Sequence, residues 1–129
     1  MLVYSIGHSN RSIEEFLEIL KKHKIKKIID VRRFPSSKKF PWFNKEKLER
    51  ILKEKNIEYI HFKSLGGFRK EGYKNFIKTK EFKEEIEKLI KILEEKSAIM
   101  CSERFWFRCH RRFICYELIK RGIKVVHIT

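Results

Sequence analysis

The sequence predicts a single α/β domain over residues 1–129, with about five mostly parallel strands covered by helices on both faces. Three observations predict it. Short apolar runs recur at residues 2–6, 28–29, 57–60, 98–100 and 123–128. The stretches between most of them carry apolar residues at helical spacing, so strand and helix alternate, which implies right-handed crossovers and a parallel sheet buried on both sides. Finally, 129 residues at 42% hydrophobic and 13% aromatic content are enough for one ordinary core, without repeat, low-complexity tract or second domain.

Each element has its own signal. The run at 2–6 passes into Gly7, His8, Ser9 and Asn10. Ser12 with Glu15 three residues on reads as a capping box, and Ile13, Phe16, Leu17 and Leu20 then lay one apolar stripe on the sheet. The run at 28–29 ends in Asp30, Val31, Arg32 and Arg33. A helix is predicted over 45–55, capped by Asn44, with Leu48, Ile51 and Leu52 inward. The run at 57–60 ends in His61. A longer helix begins near Thr79 and buries Phe82, Ile86, Leu89, Ile90 and Leu93. The run at 98–100 ends in Cys101, Ser102 and Glu103. The last helix, from about 109 to 121, is apolar on most sides, as a well-buried helix is, and Gly122 closes it at the C-cap.

If the strands are parallel, the polar ends of the first four runs gather along one carboxyl edge. In open α/β sheets that edge is where ligands bind. Two loops, 32–44 and 63–73, follow strands and so overhang the same edge. The first mixes Lys38 and Lys39 with Phe40, Trp42 and Phe43; the second mixes Arg69 and Lys70 with Phe68 and Tyr73. Loops over a rigid scaffold concentrate function. A groove that follows a sugar-phosphate backbone needs such cations for phosphates and flat rings on which bases stack.

The charge balance agrees. Lys and Arg number 32 against 17 Asp and Glu, a net charge of +15. A thermophile's Lys/Glu-rich surface enriches both signs, so the surplus of one sign points to a polyanionic partner, nucleic acid, with DNA favoured over RNA. No apolar run approaches the roughly 20 residues of a membrane span, so no membrane partner is expected. Three cysteines, an odd number, argue against a disulfide framework and for the reducing cytoplasm.

Candidate chemistry follows from the strand ends. Asp30 and Glu103 are the carboxylates placed to divide acid and base roles, to stabilise an oxocarbenium-like state, or to share a divalent cation. No other cofactor is expected. Cys101, Cys109, His110 and Cys115 lack the paired Cys-x-x-Cys spacing of common structural zinc sites, so no dedicated metal site is read there. His8 and His61 suit donation to a phosphate or a leaving base. Cys101 is a candidate thiolate, although Phe105, Trp106 and Phe107 fill the following loop and no glycine opens a phosphate cradle. Ser9, Asn10, Arg11, Arg32, Arg33, Lys38, Lys39 and Arg69 are read as nucleic-acid contacts. So are His110, Arg111 and Arg112, where the dipole of the last helix assists. Trp42, Phe43 and Tyr73 are the rings for an extruded base.

Several of these pieces occur together in a known family. Residues 5–12 (Ser-Ile-Gly-His-Ser-Asn-Arg-Ser) and 30–35 (Asp-Val-Arg-Arg-Phe-Pro) are two of them. Pro41 with Phe43 and Asn44, Leu65-Gly66-Gly67, Gly72-Tyr73, Met100-Cys101-Ser102-Glu103 and Cys109-His110-Arg111 follow in the family's order, nearly end to end. The chain thereby resembles the bacterial and archaeal family called domain of unknown function 488. The resemblance implies a compact α/β fold with the motif residues grouped together, and it supplies no settled reaction. One departure is the bulky stretch from Arg104 to Arg108, where relatives tend to carry a more polar link.

The leading expectation is a hydrolase acting on nucleic acid, in its specific form a DNA glycosylase-like repair enzyme with Asp30 central. The alternatives are a metal-dependent nuclease, a nucleic-acid-binding module without catalysis, and an enzyme acting on a nucleotide or other small molecule.

Overall fold

The computed structural model describes residues 1–67 and 69–129. Phe68, counted above among the loop rings, lies outside the described residues. In chain order the strands are β1 (Leu2–Gly7), β2 (Lys27–Asp30), β3 (Glu58–His61), β4 (Ala98–Cys101) and β5 (Lys124–Ile128). The helices are α1 (Ile13–Lys22), α2 (Lys45–Glu54), α3 (Tyr73–Phe76), α4 (Lys80–Ile92) and α5 (Arg111–Lys120). All strand pairs are parallel and the sheet order is β3-β2-β4-β1-β5. Every apolar run is therefore a strand, and every carboxyl end lies on the same edge.

Alternation along the strands divides the core in two. On one face Phe16 and Leu20 of α1 and Leu48 and Leu52 of α2 pack on Ile6, Ile28, Tyr59, Ala98 and Met100. On the other, Phe82, Ile86 and Leu89 of α4 and Ile114 and Leu118 of α5 pack on Val3, Ile29, Ile99 and Cys101. Each fully buried Val, Leu, Ile, Phe or Met among them is worth roughly 1.5–3 kcal/mol. This parity decides the site: Asp30 shares the face of Ile28, whereas Cys101 shares the face of Ile99.

Among the described residues, side-chain caps fix two of the five helix starts. Ser12 Oγ accepts from the Glu15 amide at 3.0 Å, and Thr79 Oγ1 from the Phe82 amide at 3.1 Å. Asn44 departs from its expected role. It makes no side-chain cap bond, and its Oδ1 instead accepts from the Ser37 amide at 2.5 Å, closing the preceding loop. The last helix begins at Arg111, later than the predicted 109, because a 3-10 turn at Trp106–Arg108 occupies the approach. Gly122 takes φ 89° just beyond α5. The single turn of α3 is too short to show a period, and the sequence gives no sign of it. Among the described residues, no helix is long and apolar enough to cross a membrane.

Gly7 is required by packing. A Cβ there would lie 1.7 Å from the Glu103 carbonyl oxygen. Its absence lets the turn after β1 lie against the loop after β4, where the His8 and Ser9 amides donate to the Cys101 and Ser102 carbonyls, each at 2.9 Å.

Candidate functional site

A cleft of about 1050 Å³ opens along the carboxyl edge of the sheet. Five segments line it among the described residues. The turn after β1 supplies His8, Ser9 and Asn10; the loop after β2 supplies Arg32, Arg33 and Phe34. The loop after β4 supplies Cys101, Glu103, Arg104 and Arg108, and the start of α5 supplies Cys109, His110, Arg112 and Phe113. Tyr73 adds its ring from α3. Arg32, Arg33, Arg104, Arg108 and Arg112 thus face a single carboxylate, Glu103, among the described residues.

Beneath this surface lies a closed polar network. Asp30 is fully buried. Its Oδ1 accepts from the Arg32 amide at 3.0 Å and from Arg32 Nε at 2.9 Å. Its Oδ2 accepts from Arg32 Nη2 at 2.7 Å and from the Tyr59 hydroxyl at 2.5 Å. Both carboxylate oxygens are consumed, so the expectation of Asp30 as a water-activating or cation-stabilising group at the substrate is corrected. It orients Arg32. The same saturation removes it as a partner of Glu103 for a divalent cation. Among the described residues no group of three or more His, Cys, Asp or Glu side chains is placed to hold a metal ion. Burial, followed by the charge and hydrogen bond of Asp30, raises the Tyr59 phenol far above its ordinary range.

Arg32 has one edge left, and Nη1 donates to His8 Nε2 at 3.3 Å. A guanidinium only donates, so His8 Nε2 carries the lone pair and Nδ1–H donates to the Ser9 carbonyl at 2.9 Å. His8 is therefore neutral. Burial lowers its pKa to about 4, with the charge of Arg32 acting in the same direction and the Ser9 bond opposing. Its ring stacks on Phe43 with centroids 4.3 Å apart. His61 pairs in register with Asp30 and is not among the residues that line the cleft; it donates through Nε2 to the Arg32 carbonyl at 2.7 Å. Both histidines serve the Arg32 geometry, and of the two only His8 reaches the cleft.

On the opposite face of the sheet the cysteines meet. Cys101 Sγ and Cys109 Sγ are 3.0 Å apart, and the Arg111 amide lies 3.3 Å from Cys109 Sγ. The hydrogen bond from Cys101, together with the charge and amide of Arg111, holds the Cys109 thiol below its ordinary range against the cost of burial. The same bond and burial push Cys101 up. The favoured thiolate is thus Cys109 rather than the expected Cys101. Its two signals were the position just before a helix and the following arginine. Arg111 itself is fully buried, not a phosphate contact. Its Nη2 donates to the Glu103 and Arg104 carbonyls, while Nε and Nη1 have no hydrogen-bond partner among the described residues.

Other expected contacts are also turned inward. Arg11 spends its guanidinium on the Gly7 and Thr129 carbonyls and on Glu15. Arg69 donates to the Ser64 and Gly66 carbonyls and lies 3.5 Å over the Phe76 ring. Phe43 is a core residue, and Trp42 packs on that core and donates Nε1 to the Arg11 carbonyl at 3.0 Å. Neither stands ready to receive a base. Tyr73 does line the cleft, stacked on Phe113 at 5.5 Å, with its hydroxyl on the Leu65 carbonyl. His110 donates Nε2 to the Val31 carbonyl at 2.8 Å. Lys38 and Lys39 are exposed in the loop whose Ser36, Ser37 and Phe40 line the cleft. Arg104, Arg108 and Phe34, the last 63% exposed, were missed. Phe34 alone carried a usable signal, as an aromatic directly after Arg33.

A family model described as domain of unknown function DUF488 matches residues 12–118. Comparison with curated proteins and with solved structures finds no match.

Proposed function

The chain belongs to the DUF488 family, whose description names no reaction, and we propose that it is a nucleic-acid-binding protein that takes a phosphate backbone into the cleft at the carboxyl edge of its sheet. One observation carries this reading: among the described residues, five arginines and one carboxylate line that cleft. Arg33, Arg104, Arg108 and Arg112 reach phosphates from its walls, while Arg32 is fixed in place by Asp30 and offers its remaining edge beside His8. Phe34 and Tyr73 are rings at the cleft on which an unpaired base can stack. A chain carrying a net +15 concentrates such a polyanion before contact is made.

Titration of labelled single-stranded and duplex oligonucleotides at increasing salt tests it. The expected logarithm of affinity falls linearly with the logarithm of salt, by about 0.9 per duplex phosphate neutralised and about 0.7 per single-strand phosphate. Absence of binding at low salt sinks the reading.

A hydrolytic form has one supporting observation, the presence of Glu103 in the cleft. As a DNA glycosylase-like enzyme it would leave an alkali-labile abasic site in lesion-bearing duplex, insensitive to EDTA and lost in Glu103→Gln. A duplex that stays intact with the unmodified protein removes this form and leaves the binding module.

A further inference from the structure

We propose that Cys101 and Cys109 form a thiol–disulfide exchange centre, in which Cys109 attacks an anionic disulfide held in the arginine-lined cleft and Cys101 resolves the adduct. It is a second activity, needing no nucleic acid.

Three independent features carry it. The sulfurs lie 3.0 Å apart, on adjoining segments that are not constrained by any other bridge. Their exposure is unequal: Cys101 is 1% exposed, whereas Cys109 is half-buried, and both sulfur-bearing residues line the cleft. An attacking thiol must be reached by its substrate and a resolving thiol must not be captured by it, which is the order found here. Third, Arg111 is a wholly buried cation whose Nε and Nη1 lack hydrogen-bond partners among the described residues, while its Nη2 donates to the Glu103 and Arg104 carbonyl oxygens. An unpaired buried charge is costly, and a thiolate at Cys109 supplies the missing anion.

The chemistry balances as follows. The Cys109 thiolate attacks one sulfur of a disulfide RSSR, the S–S bond breaks, and the departing RS⁻ takes the proton of Cys101. The Cys101 thiolate then attacks the Cys109 sulfur of the mixed disulfide and expels the second RS⁻, which solvent protonates. RSSR is reduced to two thiols while the protein gains a Cys101–Cys109 disulfide. Two molecules of an external thiol of the same class reverse the cycle. Substrates carrying carboxylates, such as the glutathione class, suit walls formed by Arg33, Arg104, Arg108 and Arg112.

Forming the disulfide removes the anion that balances Arg111. The dithiol form is thereby stabilised, and the bridge is an oxidising, readily reduced one rather than a permanent staple.

The test equilibrates the reduced protein in graded mixtures of reduced and oxidised glutathione, then traps thiols by alkylation under denaturing conditions for peptide mass mapping. The expected result is a Cys101–Cys109 linkage whose fraction follows the buffer reversibly, with Cys115 alkylated throughout. Cys101→Ser should accumulate a glutathione adduct on Cys109, and Cys109→Ser should give none on Cys101. Arg111→Met should shift the balance toward the disulfide, and Arg111→Lys should restore it. No linkage in any buffer overturns the proposal, as does adduct formation on Cys101 in Cys109→Ser. The serine variants, which change one atom each, keep the outcome decisive should Arg111→Met not fold.

Discussion

Arg32 reaches back over two residues and closes on Asp30 through its backbone amide, Nε and Nη2. The planar guanidinium meets the carboxylate edge to edge, a geometry lysine cannot reproduce. Because the pair is buried, its strength fixes the single edge of Arg32 that remains for His8 and the cleft. The strand-end acid thus acts on the surface through a neighbour, and its removal should show first as lost stability.

Asp30→Ala should therefore lower unfolding free energy by about 3–5 kcal/mol, the usual result of leaving one member of a buried pair alone. Tyr59→Phe, which removes one hydrogen bond to the same carboxylate, should cost nearer ~1 kcal/mol. Urea denaturation of both variants checks the order; equal, negligible effects would place Asp30 outside any structural network.

Acid should weaken the fold through His8. Its pKa is about 4 folded against 6.5 unfolded, so between those values the unfolded chain binds more protons. Stability from this residue is complete above pH 6.5, falls as pH drops toward 4, and is level below that, with a total loss of roughly 3 kcal/mol. His110 and His127 are lowered in the same direction, chiefly by burial, and add to the slope. Thermal melts across this window should flatten in His8→Asn without becoming level.

Gly7→Ala should disrupt the site from outside it. The added methyl would overlap the Glu103 carbonyl oxygen, a backbone atom in a loop that the His8 and Ser9 amides already anchor through the Cys101 and Ser102 carbonyls. A loss of about 2–3 kcal/mol is expected, with weaker oligonucleotide binding as the Glu103 loop moves. Wild-type values in both denaturation and binding assays would contradict the close packing of these turns.

Arg33→Ala and Arg112→Ala should each weaken duplex binding across all sequences and reduce the salt slope by about 0.9. Arg69→Ala should leave the slope unchanged, since that guanidinium is committed to loop carbonyls and the Phe76 ring. Comparing slopes separates wall from scaffold arginines.

Strand positions and their common edge were legible because apolar runs and polar ends repeat along the chain. Which face each end residue takes was not. Asp30 and Cys101 look equivalent as strand termini, yet alternation within β2 and β4 sends one toward α1 and α2 and the other toward α5. Nor does sequence reveal how donors are spent. Arg11, Arg69 and Arg33 read alike as loop cations, but only Arg33 lines the cleft, because carbonyls left free by neighbouring turns claim the other two. The acidity of Cys109 is half legible: its place before α5 and beside Arg111 shows in the sequence, whereas its contact with Cys101 exists only once β4 and the approach to α5 are assembled.

The strand order also governs how the molecule is born. β4 lies between β2 and β1, so the pair β2-β3 and the strand β1 have no direct bond to each other until residues 98–101 arrive. A nascent chain extended as far as α4 holds the β2-β3 pair and the lone strand β1, each with an open edge that β4 later covers. Such non-local closure makes folding slow. During that interval the growing polypeptide is open to chaperones and proteases; residues 98–101 join the pieces, and β5 then covers the remaining edge of β1.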